Sequence, residues 1–322
     1  MYNSTHVFGH ELLGRNHVTS TDIAVGSSVI TFSCLQIAFG VLNLFLLWKI
    51  SIFHNAFGRI LATRTVIEMC SSALHTSFAA YATLSQRSDY SPLWAVVVGT
   101  LGYDLAAMSC AMHVLLALNR FVSVYFPMRY PTIFSRRNSI IAIGFALVEI
   151  TAVTLLGYNL IPCNTVGFSA THYSYIVLNC PDPGQERPFH FARFINITCG
   201  SFFCFGAIVI DTATIRRLFA IKKKKAYISQ QHFNVQFRFT LQSLSQNIPM
   251  FVEIILLGLS DDSTDDSKTF VRIASFVLTR VTDFVNSISI IFFNPEVRRF
   301  LGLRFNQLGP TGSSSVVRTD TY

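Results

Sequence analysis

Long apolar stretches alternate along the chain with short polar connections, and seven of the stretches are long enough to cross a bilayer. A helix rises about 1.5 Å per residue, so about 20 residues span roughly 30 Å of hydrocarbon. Because the bilayer core offers no water to backbone polar groups, each stretch is predicted to be a helix. The stretches are residues 23–48, 57–84, 93–118, 139–161, 191–215, 239–259 and 269–293, numbered here as spans one to seven.

The pattern predicts an all-α membrane protein with a single domain, a bundle of seven transmembrane helices over residues 23–293. Residues 1–22 are expected to form an extracellular tail, and residues 294–305 a short amphipathic helix on the inner face. Residues 306–322 are rich in Ser, Thr and Gly, which predicts a disordered cytoplasmic tail. Composition agrees, because 51% of residues are hydrophobic and only 13% are charged, about half the charged share of a soluble protein.

Basic residues predict the orientation of the bundle. The connections after spans one, three and five, together with the C-terminal region, contain 17 Lys and Arg residues when Arg59 at the start of span two is included. The other connections and the N-terminal tail contain six when Arg193 and Arg272 at the starts of spans five and seven are included. Short loops rich in Lys and Arg stay in the cytoplasm, so the N-terminus is expected outside and the C-terminus inside. The net charge of +8 then faces anionic membrane lipid. Nucleic acid is not an expected partner, and the Lys-rich run at 222–225 is better explained by lipid contact.

Two features belong to the predicted outer side. Asn3 begins an Asn-Ser-Thr triplet in the N-terminal tail and is a predicted glycosylation site, whereas the triplet at Asn196 lies within span five. Cys163 and Cys180 both lie in the connection between spans four and five. In an oxidising compartment they could form a disulfide that closes a loop of about 17 residues and contributes ~3 kcal/mol; two free thiols are the alternative. No CxxC or HExxH grouping occurs, so neither a metal nor a cofactor is expected.

Several ionisable residues lie within the spans, where a charged side chain costs at least a few kcal/mol. Each is therefore expected to face the bundle interior or a water-filled cavity. Arg280 and Asp283, three residues apart, are expected to pair. Asp104 lies four helical turns before Arg120, which places it in the outer half of span three. Asp104, Tyr103 and Asp283 are candidates for a ligand pocket. For Asp104, a structural hydrogen bond or ion pair is the favoured alternative. Away from the span ends, the charged residues are Arg64, Glu68, Asp104, Glu149, Asp211, Glu253, Arg280 and Asp283.

Three local motifs carry further information. Span three is followed by the string NRFVSVYFP at 119–127, in which Arg120 lies at the cytoplasmic end of a central helix. Such an Arg either reaches the lipid headgroups or points into a cleft at the inner mouth of the bundle. Pro249 in span six removes a backbone hydrogen bond and predicts a kink. Asn294-Pro295 follows span seven and predicts a break in the helix.

The string at 119–127 resembles the end of the third helix in rhodopsin-like G protein-coupled receptors. More narrowly, it is similar to the nematode chemoreceptors of serpentine receptor class x. Segments 40–43, 54–58, 103–104 and 294–298 match the same family in the same order, and the resemblance covers about residues 25 to 303. It implies a rhodopsin-like bundle that binds a small-molecule cue in its outer half and activates a heterotrimeric G protein at its inner face. The implied location is the plasma membrane, and in the family the sensory cilium.

The resemblance also implies residue roles. Arg120 matches the Arg of the family's Asp-Arg-Tyr motif, Asn43 a polar residue that bridges the first helix to its neighbours, and Pro249 the proline about which the sixth helix bends. Asn294-Pro295 matches the Asn-Pro motif of the seventh helix but lacks the Tyr that follows it. Asn119 replaces the acidic residue beside Arg120, so the neighbouring carboxylate that would restrain Arg120 is missing. The resting-state lock is therefore expected to be weak and basal activity high.

A membrane transporter or channel is the alternative function, because such proteins also carry buried charges. Transporters usually show repeated halves and interrupted helices, and no repeat relates the first and last three spans. An enzyme would need a nucleophile with a base, or a set of metal ligands, which His75, His113 and His172 do not form in the sequence. A receptor without enzymatic activity is therefore the predicted function.

Overall fold

A computed structural model of the chain describes residues 9–178, 180, 189–223, 230–260 and 268–302. Most of these residues are helical, and π-helical segments at His75–Ala79 and Asn196–Ser201 join two pairs of helices end to end. The α-helices are α1 (Ser20–Lys49), α2 (Ala56–Leu74), α3 (Ala80–Ser85), α4 (Pro92–Tyr125), α5 (Tyr130–Ile133), α6 (Arg136–Leu160), α7 (Phe191–Ile195), α8 (Phe202–Lys223), α9 (Gln230–Ser260), α10 (Thr269–Phe293) and α11 (Pro295–Phe300). The strands are β1 (Val166–Ser169) and β2 (Ser174–Val177), and two 3₁₀ turns occur at His10–Leu12 and Ser51–Phe53.

Each predicted span coincides with one long helix or with one π-joined pair. Spans one, three, four, six and seven are α1, α4, α6, α9 and α10; span two is α2 with α3, and span five is α7 with α8. Within the described residues, four helices are long and apolar enough to cross a membrane. These are Ser20–Lys49, Pro92–Tyr125, Arg136–Tyr158 and Thr269–Phe293. Helices α4 and α9 extend beyond the predicted stretches, since a helix can continue past the hydrocarbon with polar residues.

Side-chain caps begin several of the helices. Thr19 accepts a hydrogen bond from the amide of Asp22, whose carboxylate accepts one from the amide of Thr19, and this capping box begins α1. The side chains of Asn55 and Ser135 cap α2 and α6 by accepting hydrogen bonds from the amides of Gly58 and Asn138. These caps satisfy amides that would otherwise lack partners at a helix end, and they occur where the hydropathy pattern changes.

Helix α4 occupies the centre of the bundle and packs against α2, α6, α8, α9 and the hairpin. The inner part of the core contains Ile60, Met112 and Ile290, each almost fully buried. Large apolar side chains such as Phe145 and Val148 are instead exposed on α6, at 67% and 70%. A polar interior with apolar residues on the outer surface is the distribution that a lipid environment favours.

The all-α prediction omitted a two-stranded antiparallel hairpin between α6 and α7. With the predicted orientation, the hairpin lies across the outer end of the bundle. It packs so closely on α4 that a Cβ added to Gly99 would lie 2.6 Å from the Cα of Gly167. A disulfide joins Cys163 to Cys180, on either side of the hairpin. Leu12 of the N-terminal segment is fully buried and covers Gly167 from outside.

One expectation about the spans is wrong. Glu149 is exposed on α6, because it lies on the helix face that carries Phe145 and Val148. By contrast, Arg64, Glu68, Asp104, Asp211 and Arg280 are buried in the bundle.

Some predictions concern residues outside the described part of the chain. They are the glycosylation of Asn3, the tail at 306–322, residues 303–305 of the predicted amphipathic helix, residues 224 and 225 of the Lys run, and the side chain of Asn196. Within the described part, α11 buries Val297 and leaves Arg299 exposed beside Glu296.

Candidate functional site

A cavity of about 100 Å³ lies in the outer half of the bundle, beneath the hairpin. By volume it has room for several water molecules or a small organic group. Helices α2, α4, α9 and α10 and the fifth span contribute to its wall, as does strand β2. The wall is apolar at Met250, Ile254 and Phe276, and polar at His75, Glu253, Arg280 and Asp283.

An ion pair lies in the polar part of the wall. Nη1 of Arg280 is 3.0 Å from Oδ2 of Asp283 and donates a hydrogen bond of 3.2 Å to Oγ of Ser71. Nε of Arg280 is buried and has no acceptor among the described residues. Glu253, also in the wall, accepts a 2.8 Å hydrogen bond from Thr279. Because buried guanidinium donors are usually satisfied, Nε of Arg280 is a candidate contact for an acceptor on a ligand or a water.

Tyr175 of β2 closes the cavity from the outer side. Nδ1 of His75 lies 2.7 Å from the carbonyl oxygen of Ser71, so Nδ1 must donate and Nε2 is free to accept. The hydroxyl of Tyr175 donates to that Nε2. Burial raises the pKa of Tyr175, which keeps this hydroxyl protonated and able to donate. The ring of Tyr175 packs 5.4 Å from that of Tyr103 and 5.7 Å from that of Phe168.

Of the three residues that the sequence predicted for a ligand pocket, two line the cavity and one does not. Tyr103 and Asp283 both line the cavity. Asp104 is buried outside the cavity wall and turns toward α6, where Thr151 donates a 3.3 Å hydrogen bond to its Oδ2. These contacts link α4 to α6.

Arg120 lies at the inner end of α4 and is 4% exposed. Its Nε is 3.5 Å from Oδ1 of Asp211 on α8, and its Nη2 donates to Oγ of Ser243 on α9. Position 119 supplies no carboxylate, as the sequence indicates, but Asp211 of span five supplies one instead, and the expectation of a weakened lock did not take this partner into account. Asn119 donates a 3.2 Å hydrogen bond to Tyr130 of α5. The sequence identified Asp211 as a buried acid, but nothing in its spacing indicated which helix it faces.

Asp211 is also part of a chain of hydrogen bonds that runs outward. Nδ2 of Asn247 donates to Oδ2 of Asp211 at 3.0 Å, and Nδ1 of His113 lies 2.7 Å from Oδ1 of Asn247. Since a carbonyl oxygen can only accept, Nδ1 of His113 donates. The other ring nitrogen, Nε2, is 3.9 Å from Oε1 of Glu68. Glu68 in turn lies in the cavity wall.

A second set of contacts ties Glu68 to the other spans. Nε of Arg64 is 3.3 Å from Oε1 of Glu68, and Asn286 of α10 donates to the same oxygen at 3.0 Å. Nη1 of Arg64 donates to Oε1 of Gln246 on α9 at 2.9 Å. These two sets of polar groups, which we together call the central network, extend from the cavity wall to Arg120 and meet at the 3.9 Å contact between His113 and Glu68, which is longer than a hydrogen bond. Its members are Arg64, Glu68, His113, Arg120, Asp211, Ser243, Gln246, Asn247 and Asn286.

The remaining candidates lie at helix junctions. Nδ2 of Asn43 donates to the carbonyl oxygen of Ser287 at 2.8 Å, which ties α1 to α10. Pro249 lies inside the continuous helix α9, two residues after Asn247. Asn294 ends α10 and caps α11, since its Oδ1 accepts from the amide of Glu296 at 2.9 Å. Pro295 is the first residue of α11, where a missing amide proton costs no hydrogen bond.

A comparison with protein families finds one match over most of the chain. The family model described as "Serpentine type 7TM GPCR chemoreceptor Srx" matches residues 30–294. The matched region contains the cavity wall and the whole central network. No curated protein matches the chain. The family match confirms the resemblance identified from the string at 119–127.

Proposed function

We propose that this chain, which belongs to the Srx family of serpentine seven-transmembrane chemoreceptors, binds a small-molecule cue in its outer cavity and activates a heterotrimeric G protein at its inner face. The observation that carries this proposal is the position of Glu68. It lines the cavity and also belongs to the central network that ends at Arg120. A molecule that changes the packing around Glu68 therefore acts on contacts that reach the inner face.

The cavity can recognise both ends of an amphiphilic cue. Met250, Ile254 and Phe276 offer an apolar surface, and Nε of Arg280 offers a buried donor. A cue that satisfies this donor gains a hydrogen bond to a charged group, which contributes about 1.5–3 kcal/mol. Asp283 and Glu253 in the same wall can accept hydrogen bonds from the cue.

The switch in this proposal is the contact of Arg120 with α8 and α9. The contact of Arg120 with Asp211 and Ser243 holds the inner ends of three helices together. A cue shifts the equilibrium only by binding the open arrangement more tightly than the closed one. Pro249 lacks the amide proton that would bond to the carbonyl of Ser245, so α9 can bend at that level. Bending would release Arg120 to contact the G protein.

The topology is part of the same proposal. Residues 1–22 are extracellular, residues 23–293 form the transmembrane domain in the plasma membrane, and residues from 294 onward are cytoplasmic. Exposed Arg216, Arg217 and Lys222 at the end of α8 then face the cytoplasm, where they can meet anionic lipid and the G protein. Expression in a sensory cilium is suggested by the family.

Replacing Arg120 by Ala tests the proposal. We expect Arg120→Ala to abolish ligand-independent activation of a heterotrimeric G protein, because the proposed contact residue is lost. The measurement is nucleotide exchange in membranes of transfected cells, with surface level read from an N-terminal tag. Arg87→Ala, a control on an exposed residue of the outer side, should signal like the wild type. Unchanged signalling by Arg120→Ala at equal surface level would contradict the assigned role.

A transporter or channel makes a different prediction. Ion or solute flux through the purified chain in proteoliposomes would favour that alternative if the chain also fails to activate a heterotrimeric G protein in the exchange assay.

A further inference from the structure

A recess on the outside of the bundle lies between α4, α6 and the fifth span. Its wall includes Ala107, Ala111 and Ala146, with Phe203 at one side and Glu149 at another, and we call it the lateral groove. Ala107 and Ile195 belong to the wall of the lateral groove and also to the wall of the outer cavity. The side chains of these two residues thus separate the cavity from the lipid-facing surface.

The described outer segments close the cavity toward water. Phe168 of the hairpin is fully buried, and Tyr173 is 3% exposed. The N-terminal segment lies over the hairpin and is fixed by backbone hydrogen bonds, from Gly14 to the carbonyl of Arg87 and from Asn16 to that of Gln86. The disulfide constrains the hairpin further. A solute that arrived from water along this path would have to displace packed and hydrogen-bonded structure.

The lateral side of the cavity is built differently. Ile195 is the last residue of α7, and the π-helical segment Asn196–Ser201 follows it directly. Such segments break the regular hydrogen-bond pattern of a helix and are often found at functional sites. On the opposite side of the groove, Ala107 and Ala146 offer only methyl groups. A small local movement of Ile195 would therefore be enough to join the lateral groove to the cavity.

Glu149 gives the lateral groove a chemical preference. It is exposed near the middle of α6, beside Phe145 and Val148, so its carboxyl group faces the hydrocarbon. A carboxylate at this depth costs about 2.5 kcal/mol or more. A lipid-dissolved molecule with an amine offsets this cost by donating to the carboxylate. An apolar body would at the same time fill the groove.

We propose that the cue reaches the outer cavity from the bilayer through the lateral groove, and that it is a lipid-soluble amine. This inference rests on the proposed function of the cavity as the cue-binding site. It assigns Glu149 as the residue that attracts the amine and Ile195 as the side chain that opens the path.

Cys110 provides a reporter that requires no knowledge of the cue. It is buried and lines the cavity, whereas Cys34 and Cys70 are exposed on other helices. We would place the purified chain in lipid nanodiscs and follow modification of Cys110 by peptide mass spectrometry. One reagent is N-phenylmaleimide, which dissolves in the bilayer, and the other is a charged maleimide that stays in water. We expect Cys110 to react with the apolar reagent at least tenfold faster than with the charged one, after correction for their rates with a free thiol.

Filling the lateral groove should slow this reaction. Ala146→Phe adds a ring inside the groove, and we expect at least a tenfold slower modification of Cys110 by N-phenylmaleimide. Val153→Phe, at a partly exposed position of the groove wall, is a second variant that spares the core. Gly144→Phe is the matched control, because it adds the same ring to α6 where nothing lies within 4 Å of the new Cβ. Cys34 should react equally in all variants, which checks delivery of the reagent.

The amine preference has its own test. Dodecylamine should slow modification of Cys110 in the wild type more than dodecanoate does, and Glu149→Leu, a change of similar size, should remove that difference. Equal protection by both compounds in the wild type would overturn the assignment of Glu149. Three outcomes would overturn the lateral path. One is modification of Cys110 at the wild-type rate in both Ala146→Phe and Val153→Phe, and another is faster modification by the charged maleimide than by N-phenylmaleimide. The third is failure of Cys110 to react with N-phenylmaleimide while Cys34 does. None of these readouts needs a G protein, so they can fail independently of Arg120→Ala.

Discussion

The contact between Arg120 and Asp211 leads to a quantitative prediction about basal activity. At the observed separation of 3.5 Å, two unit charges attract each other by about 4–5 kcal/mol at an effective dielectric constant of ~20. Only the part of this energy that is lost on opening affects the switch, because Arg120 regains water or protein contacts in the open state. We take that part as about 1.4–2.8 kcal/mol, which corresponds to a ~10–100-fold change in the open-to-closed ratio.

Asp211→Asn removes the charge and keeps an oxygen that can accept from Asn247. We therefore expect it to raise ligand-independent nucleotide exchange at least about tenfold per receptor at the surface. The assay uses membranes that contain the tagged receptor and one purified heterotrimer of each Gα class. Thr212→Ala is the control, since Thr212 is the next residue of α8 and is exposed.

The double variant Arg120→Ala/Asp211→Asn separates two explanations of a raised signal. If Asp211→Asn acts by releasing Arg120, the double variant should be silent. Basal exchange of Asp211→Asn equal to that of the wild type and Thr212→Ala, at equal surface level, would refute the role of this ion pair as a lock. A lower thermal stability of Asp211→Asn is expected in addition, because removing one partner leaves Arg120 buried without its counter-ion.

Two further predictions concern the outer loop and the sixth span. Cys163→Ser and Cys180→Ser should lower surface delivery to the same extent and reduce the free energy of unfolding by about 3 kcal/mol, because each removes the same constraint on the unfolded chain. Surface labelling and thermal denaturation measure the two effects. Unequal losses in the two variants would argue against a shared role. Pro249→Ala restores a backbone amide in α9 and should reduce the raised basal exchange of Asp211→Asn several-fold, because the helix bends less readily. Equal exchange with and without the proline would exclude bending at this level as a requirement for activation.

Much of the architecture follows from the sequence because hydropathy is a local property. A stretch of apolar residues such as 93–118 must become a helix in lipid, whatever its neighbours are, and the Lys and Arg residues between stretches predict the orientation. The string at 119–127, together with the segments at 40–43, 54–58, 103–104 and 294–298 in the same order, identified the family, which the match over residues 30–294 confirms. Hydropathy also indicated that Arg64 and Glu68 needed a polar environment, since buried charge is costly in any arrangement of the helices.

The partners of these charges depend on how each helix is rotated about its axis and which helix lies opposite, and local sequence does not contain that information. Asp211 of α8 contacts Arg120 of α4, although 90 residues lie between them in the chain. Glu149 belongs to the same class of residue by sequence, yet it is exposed, because it lies on the face of α6 that carries Phe145 and Val148 and points away from the bundle. The hairpin over the cavity escaped prediction for a related reason, since its short strands are stabilised by contacts with Gly99 and Leu12 more than by their own pattern. The sequence by itself therefore determined the spans, the orientation expected for them and the family, whereas only the packing of the helices decided which polar groups meet.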